Sequence, residues 1–162
     1  MKKFYSSVLI QTTDIDVGSE IDLLKCSSDK TRNNEIGAVA TFVGSVRNEN
    51  EGEKILSMFI EHYPEMTEAC IQKILMNSYE KWKILTARVV HRIGFLTPGE
   101  NIVFVGVSSK HRKASFEACE YIMDYLKTQA PFWKREETAI GKRWVEAREQ
   151  DEIQVKKWGK RT

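Results

Sequence analysis

Two lysines on either side of a proline are the residues whose type and spacing best suit catalysis. Lys127 and Lys134 flank Pro131 and the aromatic pair Phe132 and Trp133. In a continuous helix, seven residues would set the lysines about 10 Å apart on one face, and the proline can bring them closer. A lysine beside buried aromatic surface has a lowered pKa and can act as acid, base or amine nucleophile. The alternative is that Lys127 only complements a helix dipole.

Two further basic positions could bind an anion. Arg47 follows the segment FVGSV in a loop after a predicted strand, and the run from Lys110 to Lys113 contains His111 and Arg112 at the start of a predicted helix. These positive charges oppose the helix dipole, a cost that an anion bound at the same N-terminus would offset. The histidine could also exchange a proton near neutrality. A surface ion pair for Arg47 and a solvated basic turn for the run are the alternatives.

The cysteines and the other histidines indicate no metal site. Cys26, Cys70 and Cys119 are far apart, odd in number and form no C-x-x-C motif, so we expect reduced thiols and neither a disulfide framework nor a zinc site. His62 and His91 lie beside predicted strands and are expected to be hydrogen-bonded structural residues. Glycine-rich phosphate loops of the nucleotide-binding type are absent from the sequence, so side chains would have to hold any phosphate.

Composition limits the class of protein. A chain of 162 residues with 41% hydrophobic and 30% charged content can bury the core of one domain. The sequence has neither an apolar run of roughly 18 residues nor a secretory signal, which predicts a cytoplasmic protein that does not enter a membrane. The net charge of +2 is too small for a protein that coats nucleic acid.

Hydrophobic periodicity predicts an alternation of strands and helices. Ser108 and Ser109 are expected to cap the third helix, and Pro131 to end it. Two strands around Gly141 should follow, before a polar C-terminal segment. The mixture of hairpins and helical crossovers favours an α+β fold with a largely antiparallel or mixed sheet. The predicted strands are Phe4–Ile10, Ile36–Val43, Ile55–Ile60, Ala87–Ile93 and Asn101–Val107, and the predicted helices run from Asp16 to Lys25, from Pro64 to Trp82 and from His111 to Gln129.

From about Ile36 to Arg148, the chain resembles the large catalytic subunit family of molybdopterin synthase. The segments that carry the resemblance are, in order, GAVATFVGSVRN, EHYPEMTE, VVHRIGFLTPGE, VFVGVSSKHR, FEACEYIMDYLKTQAPFWKRE and RWVEAR. The resemblance implies an α/β hammerhead-like fold with an additional antiparallel β subdomain. Together with the sequence pattern outside the matched region, this predicts one domain over residues 1–150, made of an N-terminal strand and helix unit (1–35) and a family core (36–148), followed by a polar, basic tail (151–162).

The resemblance implies a function and a set of site residues. The family is a sulfurtransferase of molybdenum cofactor biosynthesis that moves two sulfurs from the C-terminal Gly-Gly thiocarboxylate of a small ubiquitin-like carrier to cyclic pyranopterin monophosphate. This forms the dithiolene of molybdopterin without a cofactor or metal of its own. The expected assembly is a homodimer of large subunits, extended to a heterotetramer by two small subunits. Lys127 and Lys134 match the catalytic lysines, and the substrate-binding positions are matched by Arg47, His111, Arg112, Met123 and Arg148.

Two other classes of function stay open at this point. One is a non-catalytic module that binds the tail of a ubiquitin-like protein. The other is a small RNA-binding protein that uses the basic stretch 110–148, and its RNA affinity would depend steeply on salt. The presence of both lysines together with Arg47, His111 and Arg112 argues for the enzyme.

Overall fold

The computed structural model describes residues 4–146 and 149–159, in which nine strands and four helices alternate. The strands are β1 (Tyr5–Gln11), β2 (Ala38–Ser45), β3 (Glu49–Asn50), β4 (Glu53–His62), β5 (Thr86–Arg92), β6 (Gly94–Leu96), β7 (Asn101–Ser109), β8 (Phe132–Thr138) and β9 (Gly141–Trp144). The helices are α1 (Val17–Leu24), α2 (Met66–Trp82), α3 (Arg112–Gln129) and α4 (Glu149–Gly159). In this part of the chain, no helix combines the length and apolar character needed to cross a bilayer.

The strands form two sheets. The first has the order β1-β5-β7-β2, with β1 parallel to β5 and the other neighbours antiparallel. The second is antiparallel, with the order β3-β4-β8-β9 and with β6 paired to β4. The predicted α+β fold with an additional antiparallel sheet is therefore confirmed. The predicted neighbouring strands Ala87–Ile93 and Asn101–Val107 correspond to β5 and β7, which pair antiparallel, and the unpredicted strand β6 in their connection joins the second sheet.

The first sheet is covered by helices on both faces, which buries its central strands, including their polar side chains. Every residue of β5 is buried, and so is all of β7 after its first residue. Helices α2 and α3 pack on one face, while α1 packs on the other through Leu24, Val90 and Phe104. A Cβ at Gly106 would overlap the Leu24 side chain, so glycine allows α1 to approach β7 closely. This buried sheet is the rigid support of the site described below.

The start of α3 differs from the prediction, whereas its end agrees with it. Ser108 and Ser109 lie inside β7, and the residue that precedes the helix is His111, which makes no side-chain cap. The Ser109 hydroxyl donates to the His111 carbonyl oxygen instead (2.7 Å). The predicted serine cap is therefore wrong, because pairing with β2 extends β7 through Ser109. The helix ends at Gln129, two residues before Pro131, as expected.

Residues 149–159, which cover most of the predicted polar, basic tail (151–162), form the helix α4. Trp158 is buried at the edges of the Trp82 and Tyr121 rings, with centroids 5.6 and 5.5 Å away. Its indole Nε1–H donates to Asp124 Oδ2 (2.7 Å). Trp158 thus anchors α4 together with the ion pairs of Lys157 to Glu120 and Asp124, and residues 160–162 lie outside the described structure. The prediction of one domain over residues 1–150 stays a prediction.

Candidate active site

A cavity of about 600 Å³ lies where β2, the C-terminal half of α3 and β8 meet. Its volume is in the range of small-molecule sites. Four of the seven residues predicted for the site line it: Arg47, Met123, Lys127 and Lys134. These four come from three separate elements, because β8 folds back after Pro131 and pairs with β4 instead of continuing α3.

Lys127 lies in the last turn of α3, where its charge complements the helix dipole. Its side chain is 51% exposed, and its Nζ lies 3.4 Å from Oδ1 of Asp151 in the first turn of α4. Asp151 was missed because the segment was interpreted as a tail. The signal was present: acidic residues at 149, 151 and 152 precede Lys156 and Lys157, the charge order typical of a helix.

Lys134 faces the cavity because of the alternation of β8. Trp133 is exposed, whereas Lys134 is half-buried and Glu136 is fully buried on the opposite face of the strand. Burial lowers the pKa of Lys134 below its ordinary value of 10.5, and the positive charge of Lys127 lowers it further against the opposing effect of Asp151. A larger fraction of neutral amine near physiological pH suits proton transfer.

Arg47 is held at the cavity by two residues that the sequence interpretation missed. Its guanidinium Nη2 donates to Oδ1 of Asn50 (3.0 Å), and the Asn50 amide Nδ2 donates to both carboxylate oxygens of Glu136 (3.0 and 3.1 Å). Glu136 Oε2 also accepts from Nε of Arg143 (3.2 Å). Within residues 4–146 and 149–159, no carboxylate lies within 4 Å of the Arg47 guanidinium. Asn50 and Glu136 are 86 positions apart, and local pattern does not connect them.

His91 forms part of the cavity wall as a neutral ring. Its Nδ1 lies 2.8 Å from the Arg92 carbonyl oxygen, which places the ring hydrogen on Nδ1, and the ring stacks on Phe132 at 3.7 Å. Burial, with a smaller contribution from the charge of Lys134, lowers the pKa of His91 to about 3. The predicted structural hydrogen bond of His91 is confirmed. Its position in the cavity wall beside the lysines was not predicted.

His111 and Arg112 lie apart from this cavity. Both are exposed at the N-terminal end of α3, and neither is among the lining residues. Fifteen positions separate Arg112 from Lys127, which is about 22 Å along one helix. Arg148 lies outside the described residues. A single copy of the chain therefore brings Arg47, Met123, Lys127 and Lys134 together and leaves the His111–Arg112 pair at a distance.

Cys70 and Cys119 are poorly suited to act as nucleophiles. Burial raises the pKa of Cys119 to about 12 and also raises that of Cys70, and the three cysteines are free. Among residues 4–146 and 149–159, no group of three or more histidine, cysteine or acidic side chains could hold a metal ion. The charged side chains that line the cavity are those of Arg47, Lys127, Lys134, Glu136, Glu146 and Asp151.

Known proteins are similar to this chain in sequence and in fold. The family model for the MoaE protein matches residues 10–129. A molybdopterin synthase catalytic subunit from Pseudomonas aeruginosa is 47% identical over 94% of this chain and 98% of its own length, and one from Escherichia coli is 54% identical over 76% and 83%. The solved MoaE protein from Burkholderia ambifaria superposes with a TM-score of 0.80 at 42% identity, covering 96% of this chain and 99% of its own. This chain belongs to the MoaE family.

Proposed function

We propose that this chain is the catalytic subunit of a molybdopterin synthase. It acts as a sulfurtransferase that moves two sulfurs from the C-terminal thiocarboxylate of a small ubiquitin-like carrier subunit to cyclic pyranopterin monophosphate, forming the dithiolene of molybdopterin. The observation that carries the proposal is that Lys127, Lys134 and Arg47 line one cavity. The relatives named molybdopterin synthase catalytic subunits, which cover most of the chain, support it.

Arg47 binds the phosphate of the substrate in this mechanism. A guanidinium offers two parallel N–H donors to a phosphate. Among the described residues the Arg47 side chain donates to Asn50 alone, through Nη2, which leaves its other donors for the ligand. Met123 contributes apolar wall beside the lysines. The substrate is thereby held while the partner delivers the sulfur, which converts an encounter of two molecules into a reaction inside one complex.

The two lysines transfer protons and stabilise negative charge during the sulfur transfer. The thiocarboxylate sulfur attacks a side-chain carbon of the substrate, a C–S bond replaces a C–O bond, and the oxygen leaves as water. Lys134, with its lowered pKa, exchanges the proton at the leaving oxygen, while the Lys127 ammonium stabilises negative charge on the thiocarboxylate and on the oxyanion formed when water releases the carrier. A second carrier repeats the cycle on the substrate that already bears one sulfur.

His111 and Arg112 complete the site from a second copy of the chain. Their distance from Lys127 along α3 prevents them from reaching the same cavity within one protomer. A homodimer in which the start of one α3 approaches the partner's cavity adds an imidazole and a second guanidinium to Arg47 at the phosphate. Two small subunits, one for each cavity, then give a heterotetramer.

The direct test is reconstitution from purified parts. The chain is incubated with thiocarboxylated small subunit and cyclic pyranopterin monophosphate, and the dithiolene product is detected after oxidation to a fluorescent pterin. The matched control is the same small subunit with an ordinary C-terminal carboxylate, which has no sulfur to give. Dithiolene that depends on the thiocarboxylate supports the proposal. Binding of the small subunit without product would support the non-catalytic module instead.

A further inference from the structure

We propose that Asn50 is a positioning residue for Arg47. Its neutral amide separates the Arg47 guanidinium from the buried Glu136 carboxylate, which directs the guanidinium to the cavity and leaves its charge available to an anionic group of the substrate. The inference rests on the proposed function only where it names that group as a phosphate.

The geometry places Asn50 as a spacer between two opposite charges. Asn50 and Glu136 are 7% and 3% exposed, whereas Arg47 is exposed at the cavity. The Asn50 amide accepts from Arg47 through Oδ1 and donates to Glu136 through Nδ2, with all three contacts between 3.0 and 3.1 Å. The carboxylate of Glu136 can only accept hydrogen bonds, so it must face the NH₂ group of the Asn50 amide. The amide oxygen of Asn50 therefore faces Arg47.

A separate arginine balances the charge of Glu136. Arg143 donates through Nε to Glu136 (3.2 Å) and through Nη2 to the Asn50 carbonyl oxygen (2.8 Å). A buried carboxylate without partners is costly, and here Arg143 and the Asn50 amide satisfy it. Arg47 is therefore not required to neutralise Glu136. An acidic residue at position 50 would pair with Arg47 directly and would compete with any anion for it.

A tight turn between β3 and β4 fixes the position of Asn50 at the cavity. Asn50 ends β3 and pairs with Glu53, and the two residues between them, Glu51 and Gly52, both have positive φ (54° and 79°). Two positive φ values in a two-residue connection are typical of the type I′ hairpin, whose twist matches that of its strands. Because β4 continues from this turn and pairs with β8, the turn sets Asn50 against Glu136.

The test compares Asn50→Asp with a matched control. Asn48→Asp adds the same charge two positions away, at an exposed side chain directly before β3. Both changes are made in the wild type and in an Arg47→Ala background. Two readouts are taken: the affinity for inorganic phosphate by NMR titration, and KM and kcat for cyclic pyranopterin monophosphate with saturating thiocarboxylated small subunit.

The expected result is that Asn50→Asp weakens phosphate binding and raises KM for the pterin about tenfold, the scale of one charge-assisted hydrogen bond. Its kcat at saturating pterin changes less than KM. In the Arg47→Ala background the same change has at most about a twofold further effect, because Asn50 acts through Arg47. Asn48→Asp stays within about twofold of the wild type, as expected for a surface substitution.

Equal effects of Asn50→Asp with and without Arg47, or no effect on phosphate affinity, would overturn the inference. If Asn50→Asp does not fold, by circular dichroism, Asn50→Ala replaces it, with a rise in KM of about threefold that Arg47→Ala again abolishes. Phosphate binding does not depend on sulfur transfer. A wild type that binds phosphate through Arg47 but makes no dithiolene would contradict the proposed function alone.

Discussion

Lys127 and Asp151 join the last turn of α3 to the first turn of α4 at the edge of the cavity, with Nζ 3.4 Å from Oδ1. The positive end of one helix dipole and the negative end of the other meet at this point, and each side chain has the sign that its own helix end favours. Since the lysine is half exposed, the ion pair contributes little to the free energy of unfolding. Replacement of Lys127 should therefore report on catalysis and not on folding.

We expect Lys127→Ala and Lys127→Arg both to reduce single-turnover product formation by at least about a hundredfold, the scale of one removed acid–base or oxyanion group. Arginine should fail because its pKa is far above neutrality and its planar head is bulkier. The measurement uses saturating thiocarboxylated small subunit and a binding assay for the complex. Lys73→Ala, at an exposed lysine of α2, is the control. Near-normal turnover with arginine would reduce Lys127 to an electrostatic role, and with alanine it would move the assignment to Lys134.

Lys134→Met should make the protein more stable while abolishing activity. Burial penalises the charged amine, so at neutral pH the apolar side chain should raise the free energy of unfolding by about 1 kcal/mol and the Tm by about 2–4 °C. Because the folded-state pKa is lowered, the penalty is fully present below that pKa and is relieved as the pH rises towards 10.5. The advantage of Lys134→Met should therefore shrink in alkaline buffer.

Thermal unfolding measured from pH 7 to pH 10 tests this expectation. Lys142→Met, at an exposed position of β9, is the control for the loss of a positive charge. If Lys134→Met is less stable than the wild type at neutral pH, the prediction is contradicted. The charged Lys134 amine would then be stabilised by its surroundings in the folded protein.

The parts of this fold that the sequence predicted are those set by local pattern. The buried strands β5 and β7 and the helix that ends before Pro131 follow from periodicity and from one backbone restriction. Strand β6 and helix α4 were missed because a three-residue strand and a polar helix become stable only through what they pack against. The serine cap failed for a similar reason, since pairing with β2 extended the strand through Ser109.

The site was predictable to the extent that its residues belong to a specific motif. Lys127 and Lys134 come from one run and meet in one cavity. Asn50 and Glu136 are 86 positions apart and are brought together by the pairing of β3 and β8 with β4. A local stretch of sequence does not predict this pairing. The separation of His111 and Arg112 from the cavity could not be predicted from the sequence either. A motif does not indicate whether its residues come together within one chain or between two copies.

The pH dependence of stability should contain a contribution from His91. Its folded-state pKa is lowered from 6.5 to about 3. Between pH 6.5 and pH 3, this histidine is therefore protonated in the unfolded chain and neutral in the folded protein. The free energy of unfolding should therefore fall as the pH decreases from about 6.5 towards 3, at up to about 1.4 kcal/mol per pH unit for one proton. His91→Gln should flatten this slope.

Urea denaturation at a series of pH values above 4 measures that slope. His111→Gln, at an exposed histidine, is the control and should leave it unchanged. An unaltered slope in His91→Gln would mean that the imidazole gains a proton in the folded protein.

Mixed dimers test whether the site is shared between copies. Lys127→Ala and Arg112→Ala homodimers should each be inactive, and after dissociation and random reassociation about a quarter of wild-type turnover should return. This follows because half of the dimers are then mixed and each mixed dimer has one intact site out of two. If both residues served the same chain, every mixed site would contain one substitution. In that case mixing would restore nothing, and a monomer by light scattering would exclude the shared site altogether.

The alternation along β8 determines where this protein can accept insertions. Phe132, Lys134 and Glu136 face the cavity side, while the intervening Trp133 and Arg135 face outwards, where Arg135 lies over Phe59 and Trp144. One extra residue between Pro131 and Lys134 would turn the lysine outwards and direct a bulky side chain into the site, because the side-chain period of a strand is two. The exposed turn at Ala139 and Ile140 has no such constraint. Natural length variation in this hairpin should therefore concentrate at its tip, and the distance from Pro131 to Glu136 should be invariant.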